Sequence, residues 1–124
     1  MRAPSVLIVE DDPASAKLVA VLLAGEGFHT RITRSAEEAL EAIDAALPDV
    51  IVLDLVLPLM SGLLLTKLLK ARDTTRHIPI IAVTAFNGDE ARRIALAAGC
   101  DAYVRKPIDA MSFAQLLKSH MGGQ

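Results

Sequence analysis

The chain has 124 residues, 52% hydrophobic and 3% aromatic, with 13 Lys and Arg against 15 Asp and Glu for a net charge of -2. That length holds one domain, and that apolar content builds a core without staples, so a second folded unit and disorder are both excluded. The single cysteine, Cys100, excludes an internal disulfide and a multi-cysteine zinc site, and the lack of a basic run or an aromatic platform argues against nucleic acid.

The charge-free stretches Leu55–Thr66 and His77–Gly88 are broken by Pro and Gly. They fall short of the ~20 residues that a membrane span needs. Met1-Arg2-Ala3-Pro4-Ser5 runs straight into a short apolar segment and then acids, which is no signal peptide. The expectation is one cytoplasmic domain over residues 1–124, with its core between residues 5 and 121 and no membrane or nucleic-acid partner.

Val6-Leu7-Ile8-Val9 is the first apolar run, and it stops at Glu10-Asp11-Asp12-Pro13. Asp12 suits an N-cap and Pro13 the first helical position. Leu18, Val19, Leu22 and Leu23 predict one apolar helix face, ended by Gly25 and Gly27. Phe28–Thr33 alternates as an edge strand does. Ser35-Ala36-Glu37-Glu38 is a capping box, and Ala36, Ala39, Leu40 and Ile43 follow at helical spacing. Val50-Ile51-Val52-Leu53 predicts a buried strand ended by Asp54.

Leu57–Gly62 reads as a loop and Leu63–Arg72 as a helix. Ile78–Val83 predicts a strand ended by Thr84, with Pro79 near its start. Ala91, Ile94, Ala95 and Ala98 make a helix face stopped by Gly99. Ala102-Tyr103-Val104 is a short strand before Lys106-Pro107. Phe113, Leu116 and Leu117 mark a last helix. Five βα units of this kind predict an α/β fold, a small doubly wound parallel sheet covered on both faces. The ligand site of such a sheet lies beyond the carboxyl ends of its strands.

The polar residues sit at those ends. Glu10 and Asp11 end the first strand, Asp54 the third, Thr84 the fourth, and Lys106 follows the fifth. Three converging carboxylates repel one another unless a cation sits among them. Oxygen ligands select a hard ion, Mg²⁺ or Mn²⁺. Such an ion keeps an open position for a phosphoryl oxygen. Lys106 adds an ammonium and Thr84 a hydroxyl. Together these groups suit phosphoryl transfer to Asp54.

The blocks Val9-Glu10-Asp11-Asp12, Val52-Leu53-Asp54-Leu55-Val56-Leu57-Pro58, Ala82-Val83-Thr84-Ala85 and Lys106-Pro107 resemble, at these spacings, the receiver domain of two-component response regulators. The likeness runs from Val6 to Met121. His77-Ile78-Pro79-Ile80 and Gly99-Cys100-Asp101-Ala102-Tyr103 add a likeness to single-domain regulators of cell-cycle type. The resemblance implies a flavodoxin-like sheet of order 2-1-3-4-5, with Asp54 as acceptor of a phosphoryl group from a histidine kinase or a phosphotransfer protein. It implies Mg²⁺ on Asp11, Asp54 and the backbone carbonyl of Val56, with Glu10 acting through water. It implies that Thr84 and Lys106 engage the phosphoryl group. Tyr103 would change rotamer with Thr84 and signal to a protein target on the face of helix four, strand five and helix five. It also implies a cis bond before Pro107, no output domain, and a monomer or weak dimer.

Two departures bear on lifetime. Val56 and Phe86 are apolar at positions where polar side chains in the family help place the hydrolytic water, so slow self-dephosphorylation is expected. A Mg²⁺-dependent phosphohydrolase with an aspartyl nucleophile is the first competing reading, but Val56 stands where its second carboxylate belongs. A pseudo-receiver that works without phosphorylation is the second, and intact Asp11, Asp54, Thr84 and Lys106 argue against it. Leu63, Leu64, Leu65, Leu68 and Leu69 leave two readings open, a broad core contact or a surface patch. Cys100 reads as a packed hydrophobe, and His29, His77 and His120 lack a second ligand at helical spacing.

Overall fold

Alternating apolar runs and amphipathic segments become five strand–helix pairs. In chain order these are β1 (Ser5–Val9), α1 (Pro13–Gly25), β2 (His29–Thr33), α2 (Ala36–Ala45), β3 (Val50–Leu53), α3 (Gly62–Ala71), β4 (Ile80–Thr84), α4 (Asp89–Ala98), β5 (Ala102–Arg105) and α5 (Ala110–His120). The structure, a computed structural model, describes residues 3–55, 57, 61–85 and 89–121. All strand pairs are parallel, and the sheet order is β2-β1-β3-β4-β5. Among the described residues, no helix is long and apolar enough to cross a membrane.

Strand side chains alternate between two cores, as a period of two requires. Leu7, Val9, Ile51, Leu53, Ile80 and Ala82 face α2, α3 and α4 and meet Ile43, Leu65, Leu69 and Ala95. Val6, Ile8, Val50, Val52, Ile81 and Val83 face the other way and meet Val19 and Leu23 of α1 and Phe113 and Leu117 of α5. β3 and β4 are buried throughout and β1 from Val6 onward, whereas β2 is a half-exposed edge.

Side-chain caps start the helices. Asp12 accepts from the Ser15 amide at 2.9 Å, and Ser35 from the Glu38 amide at 3.1 Å. Ser61 accepts from the Leu64 amide at 3.1 Å, and Asp109 from the Ser112 amide at 3.0 Å. Glu38 reaches back to the Arg34 amide at 3.0 Å, one residue ahead of the Ser35 cap.

Two details differ from the sequence expectation, and a third decides a point it left open. β4 begins at Ile80 rather than Ile78, because the Ile78 amide bonds to Thr75 in a turn and Pro79 has no N–H to give a neighbouring strand. α1 buries Ala16, Val19 and Leu23, while Leu18 is 56% exposed, since at 3.6 residues per turn it points roughly a third of a turn from the centre of that stripe. α3 resolves its apolar band by the same geometry. Leu65 and Leu69 are fully buried, and Leu64 and Leu68 face outward. Cys100 is buried, with its Sγ 3.6 Å from the Thr66 hydroxyl.

Gly62 opens α3 directly beneath the end of β3. A Cβ there would stand 2.5 Å from the Asp54 carbonyl oxygen and 2.9 Å from the Leu55 Cα, both backbone atoms that cannot step aside. We predict that Gly62→Ala destabilises the fold by about 1–3 kcal/mol through this overlap. Gly25→Ala, with open space around it, should leave the midpoint of urea unfolding unchanged or raise it. By the same measurement Leu65→Ala should cost about 2–5 kcal/mol, and Leu64→Glu no more than about 0.5 kcal/mol.

The Asp109 cap adds a pH signature. Bonds from the backbone and side chain of Ser112 hold its carboxyl below the ordinary value of 3.8. A lowered native pKa contributes stability above 3.8 that is lost as pH falls through the native value. Asp109→Ala should therefore lower the unfolding midpoint at neutral pH, and the deficit should shrink as the titration passes below pH 3.8.

Candidate functional site

Hydrogen bonds between neighbouring strands continue one residue past the strand ends, and they place the polar groups. The Glu10 amide donates to the Thr33 carbonyl at 3.0 Å, the Asp54 amide to the Val9 carbonyl at 3.0 Å, and the Lys106 amide to the Thr84 carbonyl at 2.9 Å. Each residue is thus pinned by its backbone at the carboxyl edge, with its side chain directed by the last pleat. The Gly62 amide bonds to the Leu55 carbonyl at 3.1 Å and holds the far side of the Asp54 loop.

These constraints bring Glu10, Asp11 and Asp54 together, with a carboxylate oxygen of each within 4.8 Å of the others. Asp11 is exposed, Asp54 half-buried, and Glu10 only 5% exposed. Lys106 Nζ donates to Glu10 Oε1 at 2.7 Å and lies 3.5 Å from Asp54 Oδ2. Glu10 Oε2 accepts from the Asp12 amide at 3.2 Å. The Lys106–Pro107 peptide is cis.

Thr84 is 1% exposed at the end of β4, across from Arg105 in the register with β5. Tyr103 is half-buried and opposite Ala82, on the side of the core that faces α2, α3 and α4. Val56 and Phe86 lie outside the described residues.

The charges respond to this crowding. Burial pushes the Glu10 carboxyl above its ordinary value, and the charge of Asp54 pushes it further, against the pull of Lys106 and the Asp12 amide. Burial works against the Lys106 ammonium, yet the hydrogen bond and charge of Glu10 and the charge of Asp54 outweigh it, so its pKa is raised. The two signs differ in effect. Ionised Glu10 costs the native state stability as pH rises above 4.5. Lys106 contributes stability that is present below 10.5 and lost as pH rises through its raised value.

An all-oxygen cluster open on the Asp11 side fits a hard divalent cation, and softer metals find no nitrogen or sulfur in it. A feature that the sequence did not announce adjoins it. Ser15, Leu18, Val19, Val83, Lys106, Pro107 and Ile108 line a mainly apolar cavity of about 350 Å³. The sequence pattern places Leu18 on the core-facing stripe of α1, so the cavity has no signal there.

Comparison with known proteins agrees with this geometry. Residues 6–118 match the response regulator receiver domain family. The chain is 46% identical over 120 residues to the polar-differentiation response regulator DivK of Brucella anthropi, covering 95% of this chain and 96% of that protein. The DivK of Brucella ovis matches to the same extent. The receiver domain of a signal transduction histidine kinase from Syntrophus aciditrophicus superposes with a TM-score of 0.90 at 30% identity, over 98% of this chain and 92% of that one. A receiver domain of a Pseudomonas aeruginosa sensor histidine kinase, with a magnesium ion coordinated in its active site cleft, gives 0.89 at 27% identity, over 97% and 98%.

The acidic cluster makes a prediction of its own. A divalent cation that binds only the folded chain should stabilise it by about 2.7 kcal/mol at a hundredfold excess over its dissociation constant. Thermal unfolding with Mg²⁺ against a chelator should show this gain, and Asp11→Asn should remove most of it.

Proposed function

Because the chain belongs to the response-regulator receiver family, we propose that it accepts a phosphoryl group on Asp54 from a phosphohistidine donor and thereby changes which protein it binds. The donor is a histidine kinase or a phosphotransfer protein. The role is signalling rather than turnover of a separate substrate. The observation that carries the reading is the meeting of Glu10, Asp11, Asp54 and Lys106 in one crevice.

In this reading an Asp54 carboxylate oxygen attacks phosphorus. The bond from phosphorus to the donor nitrogen breaks, and its electron pair leaves with that nitrogen. Asp11 and Asp54, with the backbone carbonyl at Val56 and with Glu10 through water, would hold Mg²⁺ or Mn²⁺, and the ion would supply positive charge to the transferring oxygens. Lys106 pairs with the phosphoryl group, and the Thr84 hydroxyl donates to it. Tyr103 shifts rotamer as Thr84 moves, and the change reaches the face of α4, β5 and α5, where the target binds. Phosphorylation then acts by biasing two packings of one fold.

The test is incubation with Mg²⁺ and a small acyl phosphate, followed by intact mass. One added phosphoryl group is expected, and none on Asp54→Asn. Absence of any adduct on the wild type overturns the reading. With Val56 and Phe86 apolar, the adduct should outlast seconds by a wide margin once donor is removed. Decay within seconds would reject that part.

A further inference from the structure

The Glu10 carboxylate meets two neighbours at once. Oε1 accepts from Lys106 Nζ at 2.7 Å, and Oε2 accepts from the Asp12 amide at 3.2 Å. The first contact ties it to the ammonium that also ion-pairs with Asp54 at 3.5 Å. The second is the one that aims it. A glutamate turns about several bonds, and a lysine at the end of its own flexible stem cannot fix that plane. An amide held in the backbone can.

The amide is held because of what the other groups of Asp12 do. Asp12 is the N-cap of α1, in extended backbone with φ of -83° and ψ of 115°. Its Oδ2 accepts from the Ser15 amide at 2.9 Å, and its carbonyl accepts from the Ala16 amide at 2.9 Å. Pro13 follows at the first helical position, where its ring fixes φ. Ala16, Val19 and Leu23 seat the helix on the sheet. One run of bonds therefore leads from the first turn of α1 through Asp12 and Glu10 to Lys106. The Asp12 carboxylate itself is exposed and is not one of the three that cluster.

We propose that Asp12 is a positioning residue for phosphoryl transfer: its cap fixes the amide that orients Glu10, and through Glu10 it sets the place of Lys106 beside Asp54. This rests on the reading of Asp54 as phosphoryl acceptor. Two plainer roles compete with it. As a helix cap alone, Asp12 matters to stability and not to the reaction. As a further negative charge near the cation, it matters through that charge and not through its bond to Ser15.

Three substitutions separate these roles. Asp12→Asn keeps an acceptor for the Ser15 amide and removes the charge. Asp12→Gly removes the acceptor but remains a tolerated N-cap, so the helix loses little stability. Asp12→Ala removes the acceptor and the stability together. The readout is the initial rate of phosphorylation of the full chain by acetyl phosphate in saturating Mg²⁺, followed by intact mass well below each variant's unfolding midpoint. Asp12→Asn should stay within about twofold of wild type, while Asp12→Gly and Asp12→Ala should slow by about fivefold, the factor equivalent to one cap. In a Glu10→Ala background the loss from Asp12→Gly should vanish, because the bond it supports is gone. Asp12→Asn as slow as Asp12→Gly marks a charge effect and overturns the proposal. Loss in Asp12→Ala alone, or in neither, marks a cap alone and overturns it too. An undiminished loss in the Glu10→Ala background overturns the route through Glu10. Absence of any adduct on the wild type would instead sink the proposed function itself, so the two failures read differently.

Discussion

The molecule is organised around a repulsion. Parallel strands bring their carboxyl ends to one edge, and this sequence ends β1 and β3 in carboxylates. Glu10, Asp11 and Asp54 then stand with oxygens within 4.8 Å of one another, one of them nearly out of solvent. Such a cluster is costly, because burial and like charge both oppose ionisation. Lys106 offsets part of that cost, reaching Glu10 at 2.7 Å and Asp54 at 3.5 Å. The formal sum of three carboxylates and one ammonium remains negative. In the proposed function that residual charge would attract a divalent cation, and the cation would in turn make an anionic phosphoryl group tolerable beside Asp54. The fold's remaining features serve to keep this unfavourable group of charges in place.

Backbone bonding does that work more than side-chain packing does. The amides of Glu10, Asp54 and Lys106 each reach the neighbouring strand beyond the formal end of the sheet. Gly62 lets α3 start directly under the Asp54 carbonyl, at a spacing no larger residue permits. The site therefore inherits the rigidity of β1, β3 and β4, the three strands whose residues next to it are all buried. The polar ends can hold like charges together because the apolar middles are secure.

The sequence was informative about these arrangements in proportion to how local their causes are. The strand runs other than the start of β4, the Asp12 and Ser35 caps and the turn at Gly27, with its φ of +96°, are written in neighbouring residues and appear where expected. The alternation of βα units with right-handed crossovers was enough to imply the parallel sheet, and the motif blocks its order. What the sequence could not carry is choice among non-local partners. Lys106 lies 96 residues from Glu10, and nothing in spacing says that it prefers Glu10 to Asp54. The split of the leucine band on α3 was open for the same reason, since a helix's own pattern does not say how wide a stripe its neighbours cover. The start of β4 was misplaced because Ile78 is buried without being a strand residue: it packs from a turn.

The cores also explain where a change at the site is absorbed. Thr84 ends β4, and Tyr103 stands beside that strand against the core under α3 and α4. Four of the helices bury at least one large side chain or a threonine, as α5 does with Phe113 and Leu117 and α3 with Leu65 and Leu69. Among its described residues α4 buries only Ala95 and Ala98, while Ile94 and Leu96 stand exposed. At about 0.8 kcal/mol per buried methylene, two alanine methyls anchor a helix far less than a pair of leucines does. A small movement of Thr84 and Tyr103 meets stiff packing toward β1 and β3 and a weakly held helix on the other side. A displacement would follow the weaker contact, so in the proposed function α4 is where a change of charge at Asp54 would be read at the surface.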